Sequence, residues 1–144
     1  MQSLILKAKT TQEIQACYPL MHQLRPHLTD VEAFIAQTER QLAMGYSLVY
    51  IQEENAIKAL AGFRFLEFLA WGKVLYIDDL ITDSESRNKG HGGTLLKWII
   101  EQAKEKMCDQ VHLDSGPHRH EAHKLYLNHD FKIIAHHFAL TLKK

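Results

Sequence analysis

The sequence predicts an α/β (α+β) domain built on one mixed, mostly antiparallel sheet flanked by helices, and three observations predict it. Runs rich in β-branched and aromatic residues, Tyr46 to Gln52, Ile57 to about Leu69 and Val74 to Thr82, follow one another across short turns, which implies an antiparallel meander. Apolar residues at helical spacing lie before these runs and after them. A glycine-rich, cationic stretch, Arg87-Asn88-Lys89-Gly90-His91-Gly92-Gly93-Thr94, stands where the last of the runs meets the next helix.

Residues Leu4 to Ala8 alternate apolar and polar side chains and predict a short first strand. Thr10 and Thr11 precede Glu13, and Ile14, Cys17, Tyr18 and Met21 follow at helical spacing, so a threonine-capped helix begins here. Pro19 is expected to kink or shorten it, and Arg25-Pro26 to end it, because the residue before proline avoids the helical region. Thr29 and Asp30 offer the cap of a second helix carrying Val31, Phe34, Ile35, Thr38 and Leu42, stopped at Gly45. The connection between these helices, Arg25 to Thr29, is a candidate wall for a substrate pocket. Glu53-Glu54-Asn55 and Trp71-Gly72-Lys73 form the turns of the meander. A helix is expected over Thr94 to Met107, a short strand over Val111 to Asp114 and a helix over His120 to Asn128. Phe131 to Ile134 and Phe138 to Leu142 alternate apolar residues and are expected to close the sheet as strands.

Composition narrows the function. The chain has 144 residues with no linker-like stretch, so one domain, 1–144, is expected. With 17 basic and 17 acidic residues the net charge is zero, which leaves no electrostatic footprint for nucleic acid or an anionic membrane. No signal peptide or membrane-spanning run stands out, and the two cysteines, Cys17 and Cys108, lack a CxxC pairing, so a cytoplasmic protein with reduced thiols is expected.

The glycine stretch carries the chemistry. Its glycines let the backbone turn sharply and approach a ligand closely, and the free N–H groups of the next helical turn point outward beside Arg87 and Lys89. That combination suits a phosphate or pyrophosphate. A Walker-type loop would need Ser or Thr directly after Gly-Lys, and here Lys89 precedes its glycine; a dinucleotide fingerprint would usually open the sheet, whereas this loop lies past the chain's midpoint.

At these residues the chain resembles the GCN5-related N-acetyltransferase family, along nearly its whole length. Arg87-Asn88-Lys89-Gly90-His91-Gly92 matches the family's Q/R-x-x-G-x-G/A loop, and Ala122-His123-Lys124-Leu125-Tyr126, followed by Phe131, is similar to its A-x-x-F/L-Y helix. The resemblance implies an acetyl-CoA-dependent N-acetyltransferase acting on a primary amine of a small molecule or peptide by direct attack. It implies that Arg87, Asn88, Lys89, Gly90, His91, Gly92, Gly93 and Thr94 hold the pyrophosphate of acetyl-CoA, and that the backbone of Leu80, Ile81 and Thr82 pairs with the pantetheine amides. It also implies that Tyr126 gives a proton to the leaving thiolate, for which a phenol of ordinary pKa near 10 is suited.

For the base, Asp78 and Asp79 are the candidates, with Asp78 preferred. Adjacent strand residues point to opposite faces, so at most one is expected to face the acceptor. The sequence departs from the family pattern at Arg119, where asparagine is common and a polar contact to the CoA arm is usual, and at Asp130, where glycine is common. Seven of the ten histidines fall between His112 and His137, which raises a zinc site, but no cysteine is near and the family needs no metal, so none is expected. His137 is a further candidate base. The alternative function is a non-catalytic acyl-CoA-binding or sensing domain of the same fold. A homodimer would follow if the strand Phe138 to Leu142 lay at a sheet edge.

Overall fold

The computed structural model describes residues 4–86 and 89–143. The elements run β1 (Ile5–Lys7), α1 (Thr11–Leu24), α2 (Val31–Ala43), β2 (Ser47–Glu53), β3 (Ala56–Phe68), β4 (Gly72–Thr82), a short 3-10 turn (Ser84–Ser86), α3 (His91–Glu105), β5 (Gln110–Leu113) and α4 (His120–Asn128). The chain divides into two compact units, Met1–Leu113, which holds the sheet and α1 to α3, and Asp114–Lys144, which holds α4.

In the first unit the strands lie in the order β1-β2-β3-β4-β5, antiparallel throughout except for the parallel pair β4 and β5 joined through α3. The turn between β2 and β3 is a two-residue loop with Glu54 and Asn55 both at positive φ, 52° and 65°, the twist that a right-handed hairpin needs. One sheet face packs on α1 and α2: Leu48, Tyr50, Leu60 and Ile81 join Ile14, Cys17, Leu20, Met21, Phe34 and Ile35 in one buried cluster. On the other face α3 buries Leu95, Leu96, Ile99 and Ala103, and its Trp98 ring lies 6.2 Å from that of Phe63. The alternation of side chains along β2 and β3 feeds both layers.

Local signals explain the helix ends. Thr10 and Glu13 form a reciprocal capping box on α1, and the Asp30 carboxylate accepts from the amides of Glu32 and Ala33 at the start of α2. Pro19 does not shorten α1 as expected, and the helix continues to Leu24. Leu20 and Met21, just beyond the proline, are buried against the sheet, and this burial offsets the lost backbone hydrogen bond. Helix α3 starts at His91 rather than Thr94, so Gly92 and Gly93 form its first turn.

The two expected closing strands are absent. Residues 131–143 carry no strand pairing, and Ile133, Ile134, Phe138, Leu140 and Leu142 are exposed. Apolar alternation alone cannot make a strand without a ladder partner.

Candidate active site

The site in the first unit begins with an irregularity in β4. Gly62 pairs with Asp79 and Phe63 with Ile77, so Asp78 is an extra residue bulged out of the ladder. The bulge breaks the two-residue alternation, and Asp78 and Asp79 both line one cavity of about 450 Å³. The expectation that only one of them faces this side is thereby corrected: strand alternation holds only where the pairing is regular.

Each carboxylate is held by a guanidinium. Arg64 Nε donates to both oxygens of Asp78 at 3.1 Å, and its Nη2 donates to Oδ2 at 2.5 Å. Arg25 donates from Nε and Nη2 to Asp79 Oδ1 at 3.2 and 3.0 Å, and from Nη2 to the Asp78 carbonyl at 2.9 Å. Tyr46 Oη completes the set by donating to Asp79 Oδ2 at 2.6 Å. Burial, with the Asp79 charge beside it, pushes the Tyr46 phenol well above its ordinary range, so it remains a donor. Burial also raises the Asp78 carboxyl above its ordinary value, against the pull of Arg64 in the other direction.

Neighbouring elements fix these groups. Gly62 is required because a Cβ there would occupy the space of the Tyr46 ring and hydroxyl. The Arg25–Thr29 connection supplies Arg25, His27 and Leu28 to the cavity wall, and the Leu28 carbonyl accepts from Tyr18 Oη at 2.6 Å. Gln23 at the end of α1 donates to Asp83 and accepts from the Ser84 amide, tying α1 to the segment that follows β4.

Beyond the acids, β4 has one open edge. It stays paired with β3 as far as Thr82, but β5 accompanies it only from Val74 to Ile77. Leu80, Ile81 and Thr82 therefore present backbone groups that no strand covers among the described residues. A short way on, Gly90 takes a left-handed conformation, φ 80°, and caps α3 without any side-chain hydrogen bond. The first-turn amides of His91, Gly92 and Gly93 consequently have no side-chain acceptor at the cap, at the positive end of the helix. Among the described residues, no atom beyond its chain neighbours lies within 4 Å of where a Gly90 Cβ would be. His91 is buried, its Nε2 3.1 Å from Glu53 Oε1 and its Nδ1 without a hydrogen-bond partner. Thr94 donates its hydroxyl to the Gly90 carbonyl at 2.9 Å, and Lys89 is exposed. These features fit an anionic pyrophosphate with an amide-bearing arm. Arg87 and Asn88 lie outside the described residues.

In the second unit Tyr126 is buried on α4, its ring 6.0 Å from that of Phe131, and burial raises its phenol above the ordinary value of 10. Arg119 is the N-cap of α4 and makes no side-chain capping bond. Asp130 takes the left-handed conformation, φ 68°, that glycine would supply more easily. His137 Nδ1 lies 3.3 Å from Asp114 Oδ1 on an exposed surface. His123 Nε2 is 2.9 Å from the Gly116 carbonyl, and among the described residues no group of three potential ligands could hold a metal ion.

The sequence points to Asp78, Asp79, the glycine loop and, as a pocket wall, the Arg25–Thr29 connection, but it does not single out Arg64 and Tyr46. Arg64 carried a signal, being a cation between Phe63 and Phe65 at the end of the apolar run Ala59 to Phe63, where a partner is required. Tyr46 carried none that separates it from core aromatics.

A mixed sheet that loses a strand partner before an uncapped, glycine-rich helix start, with acids bulged into a cavity upstream, makes an α/β protein with an anion-binding helix start downstream of a pair of acids. The chain belongs to the acetyltransferase (GNAT) family, whose model matches residues 8–131. It is 34% identical over 123 residues to the uncharacterized N-acetyltransferase YhdJ of Bacillus subtilis (strain 168), covering 84% of this chain and 86% of that protein. Its fold is similar to that of AAC(6')-Iy in complex with the bisubstrate analog CoA-S-monomethyl-acetylneamine, with TM-score 0.83, 15% identity and both chains covered in full, 100% of each. It is also similar to a predicted acetyltransferase with acetyl-CoA from Clostridium acetobutylicum, with TM-score 0.76, 20% identity and coverage of 98% of this chain and 97% of that one. Membership of this family makes the chain an N-acetyltransferase.

Proposed function

We propose that the protein uses acetyl-CoA as its co-substrate and acetylates a primary amine of a small molecule or peptide by direct attack. The observation that carries this reading is the open edge of β4 from Leu80 to Thr82, which lies between the bulged acids and the uncapped start of α3. Acetyl-CoA would supply an activated acyl group. Lys89 and the amides of His91, Gly92 and Gly93 would hold its pyrophosphate, with Arg87, Asn88 and Thr94 beside them, and Leu80, Ile81 and Thr82 would pair with its arm. Arg119 is assigned a polar contact to the same arm by its motif position.

Asp78 takes the proton that the attacking amine must lose. Its Oδ1 accepts only the Arg64 Nε bond, whereas Oδ2 accepts two, so Oδ1 is the oxygen with the more available lone pair. A carboxyl raised by burial is a better base than an exposed one. Asp79 makes three bonds, to Arg25 twice and to Tyr46, and serves to position Arg25. Tyr126, kept protonated by burial, gives its proton to the sulfur as the thioester C–S bond breaks. We assign all of 1–144 to this one activity, place it in the cytoplasm on the strength of two free cysteines, and propose that a second copy covers the exposed alternating residues Phe138, Leu140 and Leu142.

Thiol release from acetyl-CoA on adding amines tests the transfer. Release that disappears in Asp78→Asn and Tyr126→Phe supports it, and binding without release across a broad amine panel would leave only an acyl-CoA-binding domain.

A further inference from the structure

The cavity beside β4 is unusual in its charge balance. It holds Asp78 and Asp79, yet both are already neutralised, Asp78 by Arg64 and Asp79 by Arg25 together with the Tyr46 hydroxyl. An acceptor carrying several positive charges would find no unpaired carboxylate there to match them. What the wall does offer is a cation with capacity left over. Arg25 uses Nε and both N–H groups of Nη2 internally, but its Nη1 makes no hydrogen bond among the described residues, and its side chain, which lines the cavity, is 40% exposed. His27 lies in the same wall, while Gln37 and Gln41 are uncharged.

A guanidinium whose inner edge is fixed on a buried carboxylate presents its outer edge in a set orientation, without the entropic cost of ordering a free arginine. That outer edge is a preorganised donor for an anionic oxygen. Arg25 also donates to the Asp78 carbonyl, so this donor sits within one residue of the group assigned to take the amine's proton. The cavity, about 450 Å³, is in the lower half of the range for small-molecule sites.

We infer that the acceptor is a small amine that also carries an anionic group, a carboxylate or a phosphate, only a few bonds from the amine, and that Arg25 is the residue that selects it. This rests on the acetyl-transfer reading for the role of the amine, but the binding of the anionic group can be measured without turnover.

The test uses matched amines and the full chain. Amino acids are compared with their amides, glucosamine 6-phosphate with glucosamine, and a diamine serves as the polycationic probe. Binding is read as the shift in melting temperature with and without acetyl-CoA, and transfer as thiol release. The anionic member of at least one pair should bind, with kcat/KM at least about tenfold above its uncharged partner, since one charge-assisted contact is worth about 1.5–3 kcal/mol. The carboxylate and phosphate arms tell which anion is meant. Arg25→Gln should remove the preference mainly through KM while acetyl-CoA binding persists, and Arg25→Lys should restore part of it. Equal or better use of the uncharged partner or the diamine would overturn the inference, as would failure of every anionic amine to raise the melting temperature. Binding of the anionic member without thiol release would instead sink the transfer reading and leave the Arg25 site standing. The pair comparison on the unmodified protein keeps the test valid even if the Arg25 variants fold poorly.

Discussion

Replacing Arg64 by methionine removes the guanidinium from Asp78 while keeping much of the side-chain volume. The pair is made of contacts at 3.1, 3.1 and 2.5 Å, and the Arg64 and Asp78 side chains are 27% and 21% exposed. A fully buried pair broken on one side loses about 3–5 kcal/mol and an exposed one about 1 kcal/mol or less, so this partly buried pair should lose roughly 2 kcal/mol. For a chain of this size that corresponds to a fall in melting temperature of roughly 4–8 °C. The sharper effect is on proton affinity. Burial already raises the Asp78 carboxyl and Arg64 opposes it, so without Arg64 the carboxyl rises further. If Asp78 is the base, the acidic limb of kcat/KM against pH moves to higher pH in Arg64→Met and stays nearly in place in Arg64→Lys. Because the folded carboxyl is raised above its unfolded value, its contribution to stability is greatest below the unfolded pKa and is lost as pH climbs through the folded one. An acidic limb that does not move, in a variant whose melting temperature has fallen, would refute the role given to Asp78 while leaving the ion pair intact as a structural feature.

Other outcomes follow from the same geometry. Tyr46→Phe deletes the buried donor to Asp79 and should cost about 1.5–3 kcal/mol in denaturant unfolding, with a rise in acceptor KM as Arg25 loses its fixed partner. Gly62→Ala drives a methyl group into the Tyr46 ring and should cost about 1–3 kcal/mol, and the cost should shrink in a Tyr46→Ala background because the obstruction is gone. Tyr126→Phe should lower kcat on the order of 100-fold with little change in acetyl-CoA affinity, and the alkaline limb assigned to Tyr126 should lie above pH 10, because burial raises that phenol.

Much of this was legible in the sequence because it is local. The Thr10 and Glu13 box, the Asp30 cap and the turn at Glu54-Asn55 are each fixed by residues within a few positions, and the bounds of α4 follow directly from its apolar spacing. The glycine loop was readable for the same reason. What escaped depends on pairing across strands. The Asp78 bulge arises from the register of β3 against β4, which no spacing within β4 reveals, and it turns a rule about opposite faces into its exception. Tyr46, Arg25 and Arg64 come from separate elements and meet only around that bulge. The segment 131–143 misled in the other direction: Phe138, Leu140 and Leu142 have strand periodicity, but a strand exists only with a partner beside it.

The central claim is that the uncapped start of α3 and the open edge of β4 hold acetyl-CoA. Calorimetric titration of the purified protein with acetyl-CoA and with CoA, beside a Gly92→Glu variant, tests it most directly. Gly92 lies in the first turn of α3, where an added carboxylate would repel an anionic ligand. Saturable binding of both ligands to the unmodified protein, abolished in a variant that melts at nearly the same temperature, is the predicted result. Absence of binding at millimolar acetyl-CoA, or equal binding by the variant, would contradict the account.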